Sequence, residues 1–300
     1  MLAQLMKYAW FLFLFCGARL FAGDLAEKYA PLGQLIIIPF ASAPFPHPLR
    51  AQGHTYKDKV MSAAEHYSDS SVALFIPKDF HEGRRIDFVV HFHGWGATLT
   101  NALPKYRLIE QFSESERNAI LIVPQGPVNA QDSFGGKLED PDGFKRFIAE
   151  AMETLRQRGV IKNSQIGRII LSGHSGGYQV ISSIVAVGGL SQKVREVWLF
   201  DALYARTERF VIWFDNHPGR FVDIYTEHGG TKEETQNLMA ALQGNEVSFF
   251  AGEDSTATAR DLRDHHLVFL FSQLPHDQVM QAHQMFRELL ATSVLDGIRH

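Results

Sequence analysis

Short apolar runs rich in β-branched and aromatic residues recur from residue 70 onward, and amphipathic stretches separate them. The runs predict strands at residues 72–76, 86–92, 119–123, 168–172, 197–200, 221–226 and 266–271. Several of them are continuously apolar rather than alternating, which is typical of parallel strands covered on both faces. A further run at residues 35–39 predicts an edge strand that precedes this region.

The stretches between the strands predict helices at residues 142–158, 178–188, 231–242 and 277–291. Thr231, with Glu234 three residues later, fits a capping box, and Asp277 fits an N-cap. Alternating strands and helices indicate an α/β fold with a mostly parallel central sheet and helices on both faces. No repeat or glycine/serine-rich linker divides the chain, so we expect a single domain whose ligand binds beyond the carboxyl ends of the strands.

The first 22 residues carry the pattern of a targeting segment. Lys7 precedes a short apolar run at residues 8–16, and Ala22 offers a small residue for cleavage. This order is typical of a secretory signal peptide. The apolar run is about half the roughly 20 residues that a membrane-spanning helix needs. We therefore expect a signal peptide at residues 1–22, a mature domain at residues 23–300, and a secreted or periplasmic protein with no stable membrane span.

Composition and charge narrow the possible functions. Hydrophobic residues make up 45% of the 300 residues and charged residues 21%, which is globular composition. The net charge of −4 gives no case for a basic face, so we expect no nucleic-acid partner. Cys16 is the one cysteine and lies in the predicted signal peptide. The mature domain therefore has no internal disulfide, cysteine nucleophile or multi-cysteine metal site.

The most specific motif follows the strand predicted at residues 168–172. Residues 173–177 read Gly-His-Ser-Gly-Gly and precede a predicted helix, which gives the G-x-S-x-G pattern the strand–turn–helix context of a nucleophile elbow. Such a turn strains the serine backbone and leaves no room for neighbouring side chains, so glycines flank it. Ser175 is therefore the candidate nucleophile. The alternative is a glycine-rich turn that serves only helix–strand packing.

A second glycine-rich turn, at residues 93–96, follows the strand predicted at residues 86–92. In a serine hydrolase, a backbone N–H from such a loop acts together with the N–H of the residue after the serine. The two stabilise the oxyanion that develops during attack. The donors predicted here are Trp95 or Gly94 in the loop and Gly176 after the serine.

Two histidines, His91 and His93, lie two positions apart and therefore share a face of that strand. Such a pair raises zinc binding as an alternative function. Dinuclear metallohydrolases usually add an acidic residue and another histidine close by, whereas Gly-Trp-Gly follows here. We expect no metal and no other cofactor, and we expect His93 to brace the loop through hydrogen bonds.

A serine hydroxyl needs a base near neutral pH, and a histidine late in the chain is placed to supply one. His276 lies just beyond the strand predicted at residues 266–271, and imidazole suits proton transfer at this pH. His265 and His266 stand at the wrong end of that strand, and His283 falls in the middle of the last predicted helix on its solvated face. His276 is therefore the candidate base.

The acid that would orient this histidine remains open between several positions. Asp201 directly follows the apolar strand at residues 197–200, where a buried carboxylate is costly unless a partner such as an imidazole compensates. Glu227 follows the next strand, although it also fits a surface charge in a tight turn. Asp254 or another loop acid is the third option. The burial argument favours Asp201.

The loop at residues 93–96, the Gly-His-Ser-Gly-Gly run and the late His276 together resemble the α/β-hydrolase superfamily over about residues 71–292. The chain order of serine, acid and histidine is the order of that superfamily. The resemblance implies a Ser-His-acid triad, an oxyanion hole, hydrolysis through an acyl-enzyme and no metal. It also implies that the acid more often stands where Glu227 does, so the resemblance and the burial argument favour different acids.

These observations predict an exported serine hydrolase that cleaves an ester bond of a small or short-chain substrate through Ser175, His276 and Asp201. One alternative is a peptidase or amidase acting on peptide or cell-wall substrates, because a triad alone does not distinguish the leaving groups. Another is a non-catalytic binding protein on the same fold. The candidate substrate-lining residues are aromatic side chains that follow strands, which serve as often in simple packing: Tyr178, Tyr204 and Phe134.

Overall fold

A computed structural model describes residues 23–298, so the predicted signal peptide lies outside the described residues. The strands are β1 (Gly33–Pro39), β2 (His54–Tyr56), β3 (Lys59–Met61), β4 (Ser71–Pro77), β5 (Arg85–Phe92), β6 (Ile120–Pro124), β7 (Gln165–His174), β8 (Val194–Phe200), β9 (Arg220–Thr226), β10 (Phe250–Glu253) and β11 (Leu267–Ser272). The helices are α1 (Ala63–His66), α2 (Leu99–Lys105), α3 (Leu108–Glu114), α4 (Gly143–Gln157), α5 (Tyr178–Val187), α6 (Thr207–Asn216), α7 (Lys232–Gly244), α8 (Ala259–Asp264) and α9 (Met285–Ala291). Residues 23–29 are also helical.

The main sheet has the strand order β1-β4-β6-β5-β7-β8-β9-β11-β10. β4 pairs antiparallel with both of its neighbours, β1 and β6, whereas the other neighbouring pairs are parallel. A separate hairpin joins β2 and β3. The mostly parallel sheet and the edge position of β1 are confirmed.

Apolar side chains cover both faces of the sheet, which explains why its strands read as continuous apolar runs. On one face, Phe147 of α4 and Ile181 of α5 pack among strand residues. On the other face, Phe112 of α3 and Phe286 of α9 do so. The single-domain α/β fold follows from this sandwich. In the part of the chain that the structure describes, no helix has both the length and the apolar character needed to cross a membrane.

The last helix is shorter than the sequence predicts. The pattern predicts a helix over residues 277–291, but α9 begins only at Met285, and the residues before it lie in turns. Val279 and Met280 are fully buried in those turns, so tertiary packing overrides the local helical pattern. His283 consequently lies in this turn segment and not in the middle of a helix.

The capping box predicted at the start of α7 is also wrong, although the helix itself is confirmed. Thr231 occupies the N-cap position, but its side chain makes no capping hydrogen bond. Its hydroxyl donates to the buried carboxylate of Asp201, while Glu234 accepts a hydrogen bond from Thr207. A buried carboxylate is the stronger acceptor, because hydrogen bonds to an ionised group exceed those between neutral groups.

Candidate active site

The turn that carries Ser175 follows β7 directly. Ser175 has a φ of +53°, and a short 3₁₀ turn leads from it into α5. The left-handed backbone region costs a non-glycine residue of the order of 1–3 kcal/mol, and such strain is concentrated at functional sites. Gly94 lies against the turn, since a Cβ there would come within 2.6 Å of the Ser175 Cβ. The sharp strand-to-helix turn expected from the motif is therefore present, and close approach requires the glycine beside it.

His93 holds the loop that faces Ser175. Its Nε2 accepts hydrogen bonds from the Gly126 N–H and from the side-chain amide of Gln125, both at 2.9 Å, so its Nδ1 carries the proton and donates to the Gly94 carbonyl at 2.9 Å. Burial lowers the pKa of His93, and the bond to Gly94 only partly opposes this. The ring is therefore a neutral brace. This confirms the role that the sequence predicts for His93.

The loop presents free backbone donors beside the serine. Among the described residues, the N–H groups of Gly94 and Trp95 make no hydrogen bond. Trp95 is 41% exposed, and its indole N–H donates to the Ser133 hydroxyl at 2.6 Å. A Cβ at Gly176 would lie 2.7 Å from the indole Cδ1, so Trp95 and Gly176 are in close contact. The three positions predicted to form an oxyanion hole thus lie together next to Ser175.

Asp201 lies directly after β8 and faces His276. The distance from its Oδ2 to the His276 Nδ1 is 2.6 Å, and the carboxylate also accepts from the hydroxyls of Thr226, at 2.7 Å, and Thr231. Burial raises the pKa of Asp201, but the bonds from His276, Thr231 and Thr226 outweigh burial and hold the pKa below its usual value. Asp201 is therefore ionised, and the Nδ1 of His276 carries the proton that it donates.

Glu227 does not face the histidine. Its exposed carboxylate pairs with Lys232 at 2.7 Å, while the turn it begins wraps around Asp201. A Cβ at Gly229 would lie 1.7 Å from the Asp201 Oδ2, so only glycine fits there. The backbone of the turn after Glu227 therefore packs closely against Asp201, and the imidazole of His276 bonds to Asp201 rather than to Glu227.

Asp254, the third candidate acid, contacts a different histidine. Its buried carboxylate accepts from the Ser272 hydroxyl at 2.6 Å and lies 3.3 Å from the His283 Nδ1. Ser272 and His283 stand at the two ends of the turn segment that carries His276. Asp254 thus ties the ends of that segment together without touching its central histidine.

His276 stands beside the residue that precedes the candidate nucleophile. The ring centroids of His174 and His276 are 4.6 Å apart. Since Asp201 occupies Nδ1, the Nε2 of His276 is left to exchange a proton. Among the described residues, no hydrogen bond joins this nitrogen to the Ser175 hydroxyl; such contacts are often long in unliganded enzymes and shorten in the substrate complex.

The structure does not bring a metal site together from the two strand histidines. His91 is fully buried, with its Nδ1 3.0 Å from the Ser172 hydroxyl, whereas His93 is engaged with the loop as described above. Within residues 23–298, no three histidine, cysteine, aspartate or glutamate side chains are grouped to hold a metal ion.

Comparisons with known proteins agree on the architecture. No protein-family model matches the sequence, and neither does any curated protein. Solved structures do match. A mutant of the feruloyl esterase module from Clostridium thermocellum, complexed with sinapinate, gives a TM-score of 0.55 at 9% identity over 90% of this chain and 91% of that one. FphF, a fluorophosphonate-binding serine hydrolase of Staphylococcus aureus, gives 0.52 at 10% identity over 86% and 97%.

The S-formylglutathione hydrolase FrmB of the same organism gives a TM-score of 0.50 at 11% identity, over 86% of this chain and 96% of that one. The chain has the α/β-hydrolase fold. At such low identity the likeness concerns the fold, and the chemistry of this domain rests on its own residues.

Two of the three predicted substrate-lining residues lie near the serine. Tyr178 and Tyr204 pack against each other with ring centroids 5.7 Å apart. Burial and the nearby charge of Asp201 raise the pKa of Tyr204 to about 12, and its contact with the Ser175 hydroxyl partly offsets this rise. Phe134 belongs to a small separate apolar cluster and stacks on Arg50, although it borders the same end of the domain.

Several residues that shape the site went unpredicted. Thr226, Thr231 and Gly229 surround the Asp201 carboxylate, and His174 contacts the His276 segment. The Gly-Gly pair after Glu227 was the available signal, since two glycines after a strand indicate a turn with a close approach. Thr231 carried a misleading signal, because its spacing to Glu234 equally fits a helix cap.

Proposed function

We propose that this protein is an exported serine hydrolase that cleaves the ester bond of a small or short-chain substrate through an acyl-enzyme. The observation that carries the proposal is the arrangement at one end of the sheet. A strained serine has beside it the Gly94 and Trp95 N–H groups, which make no hydrogen bond among the described residues, and the residue before that serine, His174, lies against a histidine bonded to a buried carboxylate. Nucleophile, base and electrophilic donors are the three parts that acyl transfer requires.

In the proposed reaction, the Nε2 of His276 takes the Ser175 proton while Oγ attacks the ester carbonyl carbon. The carbonyl oxygen becomes an oxyanion and accepts hydrogen bonds from the N–H of Gly176 and from Trp95 or Gly94. Each such donor contributes about 3 kcal/mol of transition-state stabilisation. The alcohol leaves with the proton from His276. Water then attacks the acyl-enzyme with His276 again as base, which releases the acid and frees Ser175.

Asp201 has a supporting role in this mechanism. Its carboxylate, held ionised by the hydrogen bonds from the side chains of His276, Thr231 and Thr226, fixes the Nδ1–H tautomer of His276 and stabilises the imidazolium that forms during each proton transfer. The other two candidate acids are engaged elsewhere, Glu227 with Lys232 and Asp254 with Ser272 and His283. This geometry supports Asp201 as the third triad member.

The decisive experiment compares the wild-type protein with Ser175→Ala. We expect the wild type to hydrolyse p-nitrophenyl acetate and to react with a fluorophosphonate probe, and we expect Ser175→Ala to lose both, with kcat lowered about 10⁴- to 10⁶-fold. Ser182→Ala is the matched control, because that hydroxyl donates only to the Gln179 carbonyl within α5. It should keep both activities.

The same assay separates the alternatives. Faster turnover of peptide amides than of matched acetyl esters would replace the esterase proposal with a peptidase or amidase. Absence of probe labelling and of turnover for both substrate types would leave a binding protein and would contradict the proposed hydrolase.

The proposed export is tested separately. The sequence motivates it through the charged, apolar and small-residue order of residues 1–22. Expression of the full chain in a bacterial host, followed by fractionation and N-terminal sequencing, should yield a secreted or periplasmic protein that starts near Gly23. A cytoplasmic protein that retains Lys7 would contradict this part of the proposal.

A further inference from the structure

His174 joins the turn that carries Ser175 to the segment that carries His276, and the proposed mechanism needs these two parts at a fixed distance from each other. Its side chain is buried, and it precedes Ser175 in the chain. Its Nε2 lies 2.8 Å from the backbone carbonyl of His276, and its Nδ1 lies 3.1 Å from the Tyr106 hydroxyl. One imidazole therefore bridges α2 and its following turn, the end of β7 and the His276 segment.

The partners determine which nitrogen carries the proton. A carbonyl oxygen only accepts, so the Nε2–H of His174 donates to His276 and the Nδ1 accepts from Tyr106. Burial, together with the neighbouring His276, lowers the pKa of His174 to about 4. The ring is therefore neutral at neutral pH, and both of its nitrogens are used in the folded protein.

The His276 segment has no regular secondary structure to hold it in place. It lies in turns between β11 and α9, so the hydrogen bonds of a regular helix or strand do not fix the position of His276 relative to the sheet. Asp254 ties its ends together through Ser272 and His283. In the middle of the segment, Asp201 holds the His276 ring and His174 holds the backbone carbonyl of the same residue.

The two bonds in the middle of the segment have different consequences. The bond to Asp201 fixes the tautomer and the rotation of the His276 ring, but a side-chain contact alone lets the backbone shift. The bond from His174 starts one residue from the nucleophile, so it sets the position of the base relative to Ser175. A misplacement of about 1 Å between reacting groups can cost about 10²-fold in rate.

We propose that His174 is a positioning residue that locks the His276 backbone to the nucleophile elbow through its Nε2–H···O=C hydrogen bond. The inference rests on the proposed function of Ser175 and His276. It assigns His174 no contact with the substrate, so its loss should lower kcat and leave KM nearly unchanged.

The test uses two substitutions of equal polarity but different reach, in the purified folded protein with p-nitrophenyl acetate as substrate. In His174→Gln the amide N–H group reaches approximately the place of Nε2 and can still donate to the His276 carbonyl. In His174→Asn the amide ends near the place of Nδ1 and cannot. We expect His174→Asn to lower kcat about 10- to 10²-fold, with KM within about threefold of wild type. His174→Gln should recover most of the lost kcat.

His66→Gln is the matched control for replacing a buried histidine. His66 is also buried, and its Nδ1 lies 2.6 Å from a backbone carbonyl, that of Val128. A role that is only structural predicts that His66→Gln and His174→Asn lower the midpoint of thermal unfolding and leave kcat of the folded fraction unchanged. The positioning role predicts that only His174→Asn lowers kcat.

Equal kcat in His174→Asn and His174→Gln would overturn the proposal. Should His174→Asn fail to fold, His174→Met takes its place, because it is as long as glutamine and has no donor; a kcat equal to that of His174→Gln would again overturn the proposal. Failure of the proposed function is distinguishable, since in that case the wild type and Ser175→Ala already behave alike.

Discussion

Two buried carboxylates stand at opposite ends of strand β8 and have different partners. Glu196 lies near the start of the strand and Asp201 directly follows its end, and both are fully buried. Glu196 accepts a hydrogen bond from the Nε of Arg220 at 2.6 Å, and Asp201 accepts one from the Nδ1 of His276 at the same distance. The burial of the two carboxylates and the length of these two bonds are therefore alike, whereas the basic partners differ.

The two partners, Arg220 and His276, differ in whether they can release a proton and in how far they are exposed to solvent. An arginine keeps its protons at any pH at which the protein is folded, and Arg220 also donates to the carbonyls of Leu262 and Leu289, with its side chain only 7% exposed. The side chain of His276 is 34% exposed, and within residues 23–298 its Nε2 makes no hydrogen bond. The partner of Asp201 can therefore exchange a proton at an accessible surface, as the proposed mechanism requires, whereas the partner of Glu196 cannot.

The largest effect on activity is expected from removing the negative charge of Asp201, at the end of strand β8. Asp201→Asn should lower kcat for p-nitrophenyl acetate about 10⁴-fold, because the amide can no longer impose the Nδ1–H tautomer on His276. Glu227→Gln is the matched control at the rival acid, which is exposed and paired with Lys232. Its kcat should stay within about twofold of wild type. The opposite ranking of the two variants would assign the acid to Glu227.

The next largest effect is expected on stability, from a substitution of Glu196 near the start of strand β8. Glu196→Gln leaves Arg220 buried without a charged partner and should lower the free energy of unfolding by about 3 kcal/mol, while kcat of the folded protein stays near the wild-type value. Urea unfolding and steady-state kinetics measure the two quantities. Glu114→Gln, at a partly exposed carboxylate that pairs with Arg107 and Arg287, should lower stability by less than about 1 kcal/mol. A large loss of kcat in Glu196→Gln would remove the contrast between the two ends.

Asp223, on the neighbouring strand β9, is another buried acid, and it has no basic partner among the described residues. Burial raises the pKa of Asp223 to about 7; the hydrogen bond from the Thr235 hydroxyl partly opposes this rise, and the negative charge of Asp201 adds to it. One oxygen of the Asp223 carboxyl group makes no hydrogen bond among the described residues. The folded state therefore holds a proton that the unfolded state, with a pKa of about 3.9, releases. The contribution of Asp223 to stability is present below about pH 4 and is lost as pH rises towards 7. Asp201 has the opposite sign, since its contribution is lost as pH falls through its lowered pKa.

Asp223→Asn should abolish this titration. We expect the variant to be more stable than wild type at pH 8, by at most about 4 kcal/mol, and close to wild type at pH 4. Urea unfolding at the two pH values measures the difference. A stability change that is equal at both pH values would show that Asp223 is ionised or neutral throughout.

The parts of the candidate site that lie within a few consecutive residues could be predicted from the sequence, whereas contacts between distant residues could not. The nucleophile elbow lies within five consecutive residues, 173–177, so its strand, glycines and following helix were all visible in the sequence. The loop at residues 93–96 and its bracing His93 were visible for the same reason. The acid was only a choice among candidates, because Asp201 and His276 lie 75 positions apart and their contact depends on how two strand ends meet.

By itself the sequence determined the alternation of apolar strands and amphipathic helices, and hence the layered α/β architecture, because burial on both faces of a parallel sheet requires continuous apolar runs. It also determined the strained turn at Ser175, since a local backbone conformation depends on adjacent residues. Only the tertiary structure decided that Thr231 bonds to a carboxylate rather than capping its helix, and that residues 277–284 form turns. In the first place the distant carboxylate of Asp201 offers a stronger hydrogen bond than the helix cap, and in the second the burial of Val279 and Met280 overrides the local helical pattern; no local pattern encodes either contact.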